Sequence, residues 1–468
     1  MVSLLPVVAI FALITAGVGL AGLVTPRGWT WSAAEGLAVA LMLGATFVSL
    51  AVFVIGFTLR GVALQLAVLS AAAALGLAGI AVGRRRQGKV HVARPTPGEL
   101  AAWVVVLAQL GGAAWLAFYR SDLGWDGLVN WELKAHLACL NNGSPPLAYF
   151  QDSTWVRTHP TYPWLVPGIE TWLYLWAGQC SQSLAKLAPF LFCAAAVGLL
   201  YAGGVRLAGS RLTGLLAAIL LFCIPLVLIG EGSATSGYAD FPVGVAYLGA
   251  AIYLLAYIRT RQRGILGLVG AMTVPLVWGK AEGAILLACL GLVLAVHLLR
   301  DHGASLSIRL TDASLALLPG LVVYGAWLGF LKLNQTPPPT EFLPMTVSTF
   351  AANIGRLGDV AAYWQTMVKD WPTWGAFWPF LLAACIVVVL GARGVPRGIL
   401  ALLGLPLAAY STIFVFSSWA DPTDHIQSSL GRLALQIAPL GALTIALALN
   451  HLPRLGKARL WSRRHSPE

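Results

Sequence analysis

The segment from Trp125 to Pro167 carries the side chains best suited to chemistry in this chain. Asp126 offers a carboxylate that can take a proton from a hydroxyl group, and Lys134 offers an amine that can neutralise an anion. Residues 124–142 are predicted to form a helix, and spacing by four places Asp126, Asn130 and Lys134 on one face of it. A simple cap at the start of that helix is the alternative role for Asp126.

Prolines restrain the chain downstream of this helix. In the run Arg157-Thr-His-Pro-Thr-Tyr-Pro163 they favour a fixed backbone around His159 and Tyr162. A lone loop histidine is also typical of a surface residue, and no pair of His or Cys at helical spacing indicates a transition-metal site. Carboxylates such as Asp122 and Asp126 would still allow a hard divalent cation, which leaves no motif.

Two further charged residues mark the ends of apolar stretches. Asp240 follows Gly237-Tyr-Ala and begins an apolar run, where helix capping is one explanation for it. Lys280 lies in Trp278-Gly-Lys-Ala-Glu282, a polar break between two short apolar runs, where an ion pair is one explanation. A helix exposed to lipid would not tolerate such a break, so a special local structure is predicted there.

The last polar segment, from Asp424 to Arg432, precedes the final apolar run and contains His425. Arg432 lies just inside that run, so it needs an anionic partner, and a phosphate at the interface would match its planar guanidinium group. Reaching out to lipid head groups is the alternative.

The composition places these residues in a membrane protein. Of the 468 residues, 58% are hydrophobic and 10% are charged, whereas a soluble protein needs roughly a quarter of its residues charged. We predict an all-α, polytopic transmembrane helical bundle of about 13 spans. The apolar runs lie at 4–24, 34–57, 61–82, 98–119, 184–206, 212–230, 238–258, 264–279, 282–299, 313–332, 374–392, 398–416 and 430–450, with 264–299 readable as two helices or as one broken helix.

The basic residues indicate the orientation of the bundle. Clusters of Lys and Arg lie beside span ends at 84–89, 206–211, 259–263, 300–309, 393–397 and 454–464. The positive-inside rule places these loops and the C-terminus in the cytoplasm and the N-terminus outside. The net charge of +12 is therefore explained by membrane topology and does not indicate a nucleic-acid partner.

The polar segment then lies on the outer face of the membrane. We predict one membrane domain over 1–468, with a first large outer loop at 120–183 and a second at 333–373. The first loop is expected to contain a juxtamembrane helix at 163–178, because its Trp and Tyr suit the interface. Cys139 and Cys180 share this loop, where an oxidising compartment would allow a disulfide, although no repeated spacing indicates one. An active site on the outer face, assembled from several loops, is predicted.

These motifs, in this order, resemble those of the polytopic glycosyltransferases of the GT-C fold. The branch concerned is similar to protein O-mannosyltransferases and to the aminoarabinose and galacturonic acid transferases of lipid A. The resemblance covers residues 98–300 and 417–450. The matching motifs are the helix led by Asp126, His159-Pro-Thr-Tyr-Pro163, Tyr238-Ala-Asp240, Lys280-Ala-Glu-Gly283 and the segment from His425 to Arg432.

The resemblance implies a lipid-linked sugar donor, usually a polyprenyl phosphate monosaccharide, and inversion at the anomeric carbon. Asp126 would be the general base that removes the proton of the acceptor hydroxyl. Arg432, Lys280 and Lys134 would bind the donor phosphate. The sugar or acceptor pocket would include Asn130, His159, Tyr162, Asp240 and His425.

One departure from the family concerns a metal ion. Family members often carry paired acids at the first site, whereas Gly127 follows Asp126 here. Asp122 is the nearest second carboxylate, so a divalent cation, if one binds, would use Asp122 and Asp126. No other cofactor is expected.

A transporter or flippase of lipid-linked saccharides and a polysaccharide polymerase or ligase are the alternatives. Transporters usually contain internal repeats, and none is visible in this sequence. A polymerase or ligase usually takes a diphosphate-linked donor. The resemblance favours a transferase of the bacterial plasma (inner) membrane, with a lipid, a glycan or a protein as acceptor and membrane lipids as its surroundings.

Overall fold

The computed structural model describes residues 5–86, 88, 94–119, 124–390 and 397–464. These residues are mainly helical, and an isolated β-bridge pairs Phe342 with Ser417. Asp122 and the basic positions 89 and 393 lie outside the described residues. The longer helices are Leu5–Val24, Ala33–Ile55, Gly61–Arg86, Pro97–Tyr119, Leu165–Ala177, Leu187–Gly203, Arg211–Phe222, Asp240–Thr260, Ile265–Gly279, Gly283–Arg300, Leu306–Leu333, Arg356–Lys369, Phe377–Val389, Gly398–Ile413, Pro422–Leu435 and Ala438–Arg464. The shorter helical segments are Gly127–Glu132, Leu133–Leu140, Ala148–Gln151, Ser153–Thr158, Gln182–Ala185, Gly204–Ala208, Pro225–Leu228, Val347–Asn353, Trp371–Trp374 and Phe414–Phe416.

The chain is an all-α, multi-pass membrane protein. In the described ranges, nine helices are long and apolar enough to cross a membrane, and Pro422–Leu435 with Ala438–Leu452, bent by 50°, makes a tenth span if counted as one. The apolar helices Arg211–Phe222, Ile265–Gly279 and Phe377–Val389 have only 12, 15 and 13 residues. At 1.5 Å per residue, each is shorter than the hydrocarbon layer of about 30 Å, so the predicted count of about 13 spans is not confirmed.

One end of the bundle, which we call the basic end, is held together by charged loops. Arg261 and Asp301 form an ion pair, with 2.7 Å between a guanidinium nitrogen and a carboxylate oxygen. This ion pair joins the loops that precede Ile265–Gly279 and Leu306–Leu333. The side-chain amide of Gln262 also donates to the carbonyl of Arg27, 3.2 Å away. The loop after the first helix therefore lies at the same end as these basic loops.

The opposite end, which we call the cavity end, gathers the polar segments that the sequence placed on one face. The Gly61 amide donates to the Asn142 carbonyl at 2.7 Å, and the Leu343 amide donates to the Phe416 carbonyl, also at 2.7 Å. The Asp240–Thr260 helix runs through the core, buried from Asp240 to Tyr257, and it begins at this end. The region 264–299 forms two helices, with the break at 280–282 also at the cavity end.

The predicted juxtamembrane helix at 163–178 is helical over Leu165–Ala177. All of its residues from Leu165 to Tyr174 are buried in the protein, so it is enclosed by other helices and does not lie on the surface. The Trp172 indole donates to the Ala9 carbonyl at 3.1 Å, which places the start of the chain's first helix at the cavity end.

A disulfide joins Cys139 to Cys180, the bond that the sequence alone left open. Their Cα atoms are 6.0 Å apart, although 41 positions separate them in the chain. The bond ties the Leu133–Leu140 helix to the segment before Gln182–Ala185, so it links the two ends of the first loop region.

Candidate active site

A cavity of about 740 Å³ lies at the cavity end. Its wall comes from five parts of the chain that are distant in sequence: the first loop, the loop that contains Glu231, the break at 280–282, the end of Leu306–Leu333 with the second loop, and the segment 410–433 before the last helix. Of the predicted site residues that the structure describes, all except Lys134 and Asp240 line this cavity; Asp122 lies outside the described residues. Its polar lining comprises Asp126, Asn130, Arg157, His159, Thr161, Tyr162, Glu231, Lys280, Glu282, Tyr324, Glu341, Tyr410, His425, Ser428, Ser429 and Arg432.

Asp126 and Arg432 form an ion pair on the cavity wall. Asp126 makes no cap hydrogen bond with its side chain, so the pairing, and not helix capping, explains its position. Arg432 also donates to the Ser428 carbonyl at 2.9 Å and to the Ser429 hydroxyl at 3.4 Å. Because 26% of the Asp126 side chain and 16% of the Arg432 side chain remain exposed, an anion in the cavity can compete with Asp126 for the guanidinium group.

Lys280 is held by a chain of polar groups that runs from the cavity wall into the core. Its Nζ lies 2.9 Å from Asp240 Oδ1 and 3.1 Å from Glu282 Oε1. The Gln436 amide donates to the same Asp240 oxygen at 2.9 Å, and the Tyr410 hydroxyl donates to Gln436 at 2.6 Å. Burial alone would lower the pKa of Lys280, but the two carboxylates raise it above its ordinary value, so the amine stays charged. Asp240 therefore serves to orient Lys280, and it does not reach the cavity itself.

His159 and Tyr162 present a flat, neutral surface to the cavity. The His159 backbone is left-handed, with φ of 50°, and its ring stacks on Tyr162 with centroids 4.6 Å apart and planes 9° from parallel. Its Nδ1 lies 3.5 Å from Glu341 Oε1. Burial, followed by the nearby charge of Lys134, lowers the pKa of His159 to about 4, so its ring is neutral at pH 7. Burial also raises the pKa of Tyr162 above its ordinary value.

His425 lies among aromatic side chains at the cavity wall. Its ring stacks on Trp419 with centroids 4.6 Å apart, and the Phe342 and Phe414 rings are each 5.3 Å away. Its Nδ1 is 2.8 Å from the Ser417 hydroxyl, which fixes the ring orientation. Trp419 also lines the cavity, so these side chains form one of its aromatic walls.

The helix that carries Asp126 is not a regular α-helix. Gly127–Glu132 is a π-helix, and its wider turn changes the angle between successive side chains, so the prediction that spacing by four keeps three residues on one face is wrong. Asn130 faces the cavity, and its Oδ1 is buried without a hydrogen-bond partner among the described residues. Lys134 is fully buried behind the wall, with Nζ 4.9 Å from the Trp131 ring and 5.4 Å from the Tyr162 ring.

The position of Lys134 does not suit contact with a phosphate. Its Nζ has no hydrogen-bond partner within the described ranges, and burial lowers its pKa well below the ordinary value for lysine. The structure therefore brings three cations, Arg157, Lys280 and Arg432, to the cavity wall, and Arg432 contacts Asp126. Lys134 stays buried against the Trp131 ring.

Sequence reasoning did not include three acids of the cavity wall among the site residues: Glu231, Glu282 and Glu341. Glu282 lies in the polar break that the sequence did single out, and its Oε2 is buried with no partner among the described atoms. Burial, with Asp126 and Glu282 nearby, raises the pKa of Glu341. A rule that collects isolated acids near apolar runs would have found Glu282, but Glu341 comes from a long loop with no such signal.

A metal site finds no further support in the described residues. Across the ranges that the structure covers, no group of three or more His, Cys, Asp or Glu side chains could hold a metal ion. Because Asp122 lies outside those ranges, a divalent cation held by Asp122 and Asp126 stays a prediction.

Comparisons with known proteins add a structural likeness. No family model matches the chain, and no curated protein matches it. The crystal structure of ArnT from Cupriavidus metallidurans bound to undecaprenyl phosphate aligns with 78% of this chain, at 18% identity and a TM-score of 0.49. The alignment spans 62% of that ArnT chain. At this level of similarity, function has to be argued from the side chains of the cavity.

Proposed function

We propose that this protein is a membrane glycosyltransferase of the GT-C type, which moves a monosaccharide from a polyprenyl phosphate donor to an acceptor hydroxyl at the outer face of the membrane. The observation that carries this proposal is the single cavity onto which Asp126, Arg432 and Lys280 all open. A carboxylate and two cations on the wall of one cavity supply a proton acceptor and an anion site, the two groups that this transfer requires. The family resemblance of the sequence motifs supports the same reaction.

The donor phosphate would lie against Arg432 and Lys280. The planar guanidinium group can donate two parallel hydrogen bonds to phosphate oxygens, and the amine adds a second positive charge. Asp240 keeps Lys280 charged and in place from behind the wall. Because Arg432 contacts Asp126, a phosphate that takes over the guanidinium group would free the Asp126 carboxylate for catalysis.

In the transfer step, Asp126 would accept the proton of the acceptor hydroxyl while that oxygen attacks the anomeric carbon. The new carbon–oxygen bond forms as the bond between the anomeric carbon and the phosphate oxygen breaks, and the electron pair leaves with polyprenyl phosphate. The charge of the departing phosphate grows by one, and Arg432 and Lys280 would stabilise it. Attack from the face opposite the leaving group gives inversion.

The apolar part of the cavity wall suits a polyprenyl chain. Trp327, Leu328 and Leu331 at the end of Leu306–Leu333 line the cavity. The same helix exposes Leu321 and Val322 on its outer surface, with 51% and 58% of each residue accessible. A lipid tail lying along this helix would remain in hydrocarbon while its phosphate reaches the polar residues.

The remaining polar wall suits a sugar ring. His159 and Tyr162 stack as a neutral, flat surface with hydrogen-bonding groups at its edge. Asn130 contributes a buried carbonyl oxygen, and His425 contributes a ring fixed by Ser417. Neutral donors and acceptors of this kind recognise hydroxyl groups without binding the phosphate.

The disulfide supports an outward orientation of the cavity end. Disulfides persist in oxidising compartments, such as the bacterial periplasm, and Cys139 and Cys180 lie in the loop that carries Asp126. The basic loops lie at the other end, which the positive-inside rule assigns to the cytoplasm. The first helix starts at the cavity end, so the N-terminus would be outside, and the C-terminal helix would end in the cytoplasm of a bacterial inner membrane.

The test is transfer of radiolabelled sugar by the purified protein in lipid vesicles, from a panel of polyprenyl phosphate monosaccharides, with membrane extract as the acceptor source. Wild type should consume one donor and release polyprenyl phosphate, and Asp126→Asn should not. Movement of intact labelled lipid across the bilayer would identify a flippase instead. Consumption of diphosphate-linked chains alone would identify a polymerase or ligase.

A further inference from the structure

We propose that Tyr238 is a positioning residue for both Asp126 and Arg432; this inference rests on the proposed function. Tyr238 lies two residues before Asp240, at the start of the central Asp240–Thr260 helix. Only 1% of its surface is exposed, and it is not part of the cavity wall. It therefore acts on a ligand only through the residues that it contacts.

The two ends of the Tyr238 side chain contact the two partners of the ion pair. Its hydroxyl oxygen accepts a hydrogen bond of 3.1 Å from the backbone N–H of Asp126. The central carbon of the Arg432 guanidinium group lies 5.5 Å from the centre of its ring, within the range of a cation–π contact. The buried Tyr238 side chain thus positions the backbone of Asp126 and the guanidinium group of Arg432, which would bind the phosphate.

Two glycines let the chain approach this arrangement closely. Gly124 has φ of 78°, and a Cβ atom there would lie 2.7 Å from Tyr238 Cε2. Gly232 has φ of 79°, and a Cβ atom there would lie 3.2 Å from Arg432 Cγ. A side chain at either position would have to adopt an unfavourable backbone and displace a member of the group.

The role of Tyr238 follows from the exchange that the reaction requires. When Arg432 leaves Asp126 for a phosphate, the carboxylate loses the ion pair that holds it at the cavity wall. The hydrogen bond to the Asp126 backbone does not depend on Arg432, so it can hold the base through the exchange. Burial and the neighbouring Asp126 carboxylate raise the pKa of Tyr238, which keeps the hydroxyl neutral throughout.

The experiment separates these two contacts with two substitutions. Tyr238→Phe removes the hydroxyl and keeps the ring, so turnover should fall about 10-fold while affinity for polyprenyl phosphate changes less than about 2-fold. Tyr238→Leu removes both the hydroxyl and the ring. Turnover should fall by the same factor, and affinity for polyprenyl phosphate should also fall about 5-fold. Tyr247→Phe is the matched control, since it removes a buried hydroxyl that donates to the Leu402 carbonyl at 2.6 Å, away from the cavity.

The inference would be overturned if Tyr238→Phe turned over as fast as wild type. It would also be overturned if Tyr238→Phe and Tyr247→Phe lost the same amount of activity, in proportion to their loss of folded protein. Neither result would affect the proposed function if wild type still transfers sugar and Asp126→Asn does not. Failure of wild type to consume any polyprenyl phosphate sugar would instead overturn the proposed function. Binding of polyprenyl phosphate, measured without turnover, tests the contact between Tyr238 and Arg432 in either case.

Discussion

The two ends of the bundle carry ion pairs built from the same parts in different surroundings. Each consists of an arginine, a carboxylate and an aromatic ring beneath the guanidinium group. The cavity-end triad is Arg432, Asp126 and Tyr238, and the basic-end triad is Arg206, Glu35 and Trp29, in which the guanidinium carbon lies 3.7 Å from the ring centre.

The difference lies in access to the carboxylate. The Glu35 side chain is 1% exposed and receives two hydrogen bonds from Arg206, at 3.1 and 2.7 Å, and one from the Tyr253 hydroxyl at 3.3 Å. Asp126 is 26% exposed and faces the cavity. The two arginine side chains are similarly exposed, at 18% and 16%, so the pairs differ in the carboxylate. The buried carboxylate of the closed pair cannot meet a substrate and serves the fold, whereas the accessible carboxylate of the open pair can take part in a reaction.

The largest expected effect comes from breaking the open pair at its carboxylate. Asp126→Asn should lower turnover about 10³-fold, because the amide cannot accept the hydroxyl proton. Affinity for polyprenyl phosphate should not fall, because Arg432 loses a competing carboxylate. Initial rates and equilibrium binding in lipid nanodiscs check both statements. Glu35→Gln is the control and should retain its turnover per folded molecule; a similar loss there would remove the contrast between the two triads.

Breaking the closed pair should act on stability instead. Glu35→Gln leaves the charge of Arg206 without a compensating carboxylate, and the free energy of unfolding should fall by about 3 kcal/mol. Asp126→Asn should change it by less than about 1 kcal/mol, since Arg432 can reach the solvent of the cavity. Denaturant unfolding in detergent micelles measures both values. Equal destabilisation by the two substitutions would show that Asp126 is as structural as Glu35.

A conservative substitution of the arginine in each triad tests whether its guanidinium group binds phosphate. Arg432→Lys keeps the charge and loses the planar fork, so affinity for the donor phosphate should fall about 10-fold. Arg206→Lys should leave that affinity unchanged, because the basic-end triad does not line the cavity. Titration with polyprenyl phosphate gives both constants, and an Arg432→Lys protein with wild-type affinity would argue against bidentate phosphate binding.

The smallest expected effect concerns pH at the cavity end. The pKa of folded His159 is lowered to about 4, below its ordinary value of about 6.5, so the unfolded state binds more protons between these values. The free energy of unfolding therefore has its full contribution from His159 above pH 6.5 and loses it as the pH falls towards 4. Between pH 7 and 5.5 the loss should be about 1 kcal/mol. Unfolding of wild type and His159→Asn across this range should differ in slope. Equal slopes would show that His159 titrates normally.

The sequence indicated several residues that line the cavity where their signal was local. A carboxylate, a lysine or an arginine beside long apolar runs is conspicuous without a structure, and the basic loops sort the remaining segments to one end. Asp126 and Arg432 were identified in this way, although 306 positions separate them. Lys134 was placed on the cavity wall incorrectly, because a regular helix was assumed where the chain forms a π turn.

By itself, the sequence determined the all-α, multi-pass class and the residue types available at one end, because hydropathy and charge are properties of short segments. Only the tertiary structure decided which charges meet: Arg432 with Asp126, Lys280 with Asp240, and Cys139 with Cys180. No pattern in the sequence indicates that these distant parts of the chain are in contact. Burial then decided their roles, since the same arginine–carboxylate pair is closed at Glu35 and open at Asp126.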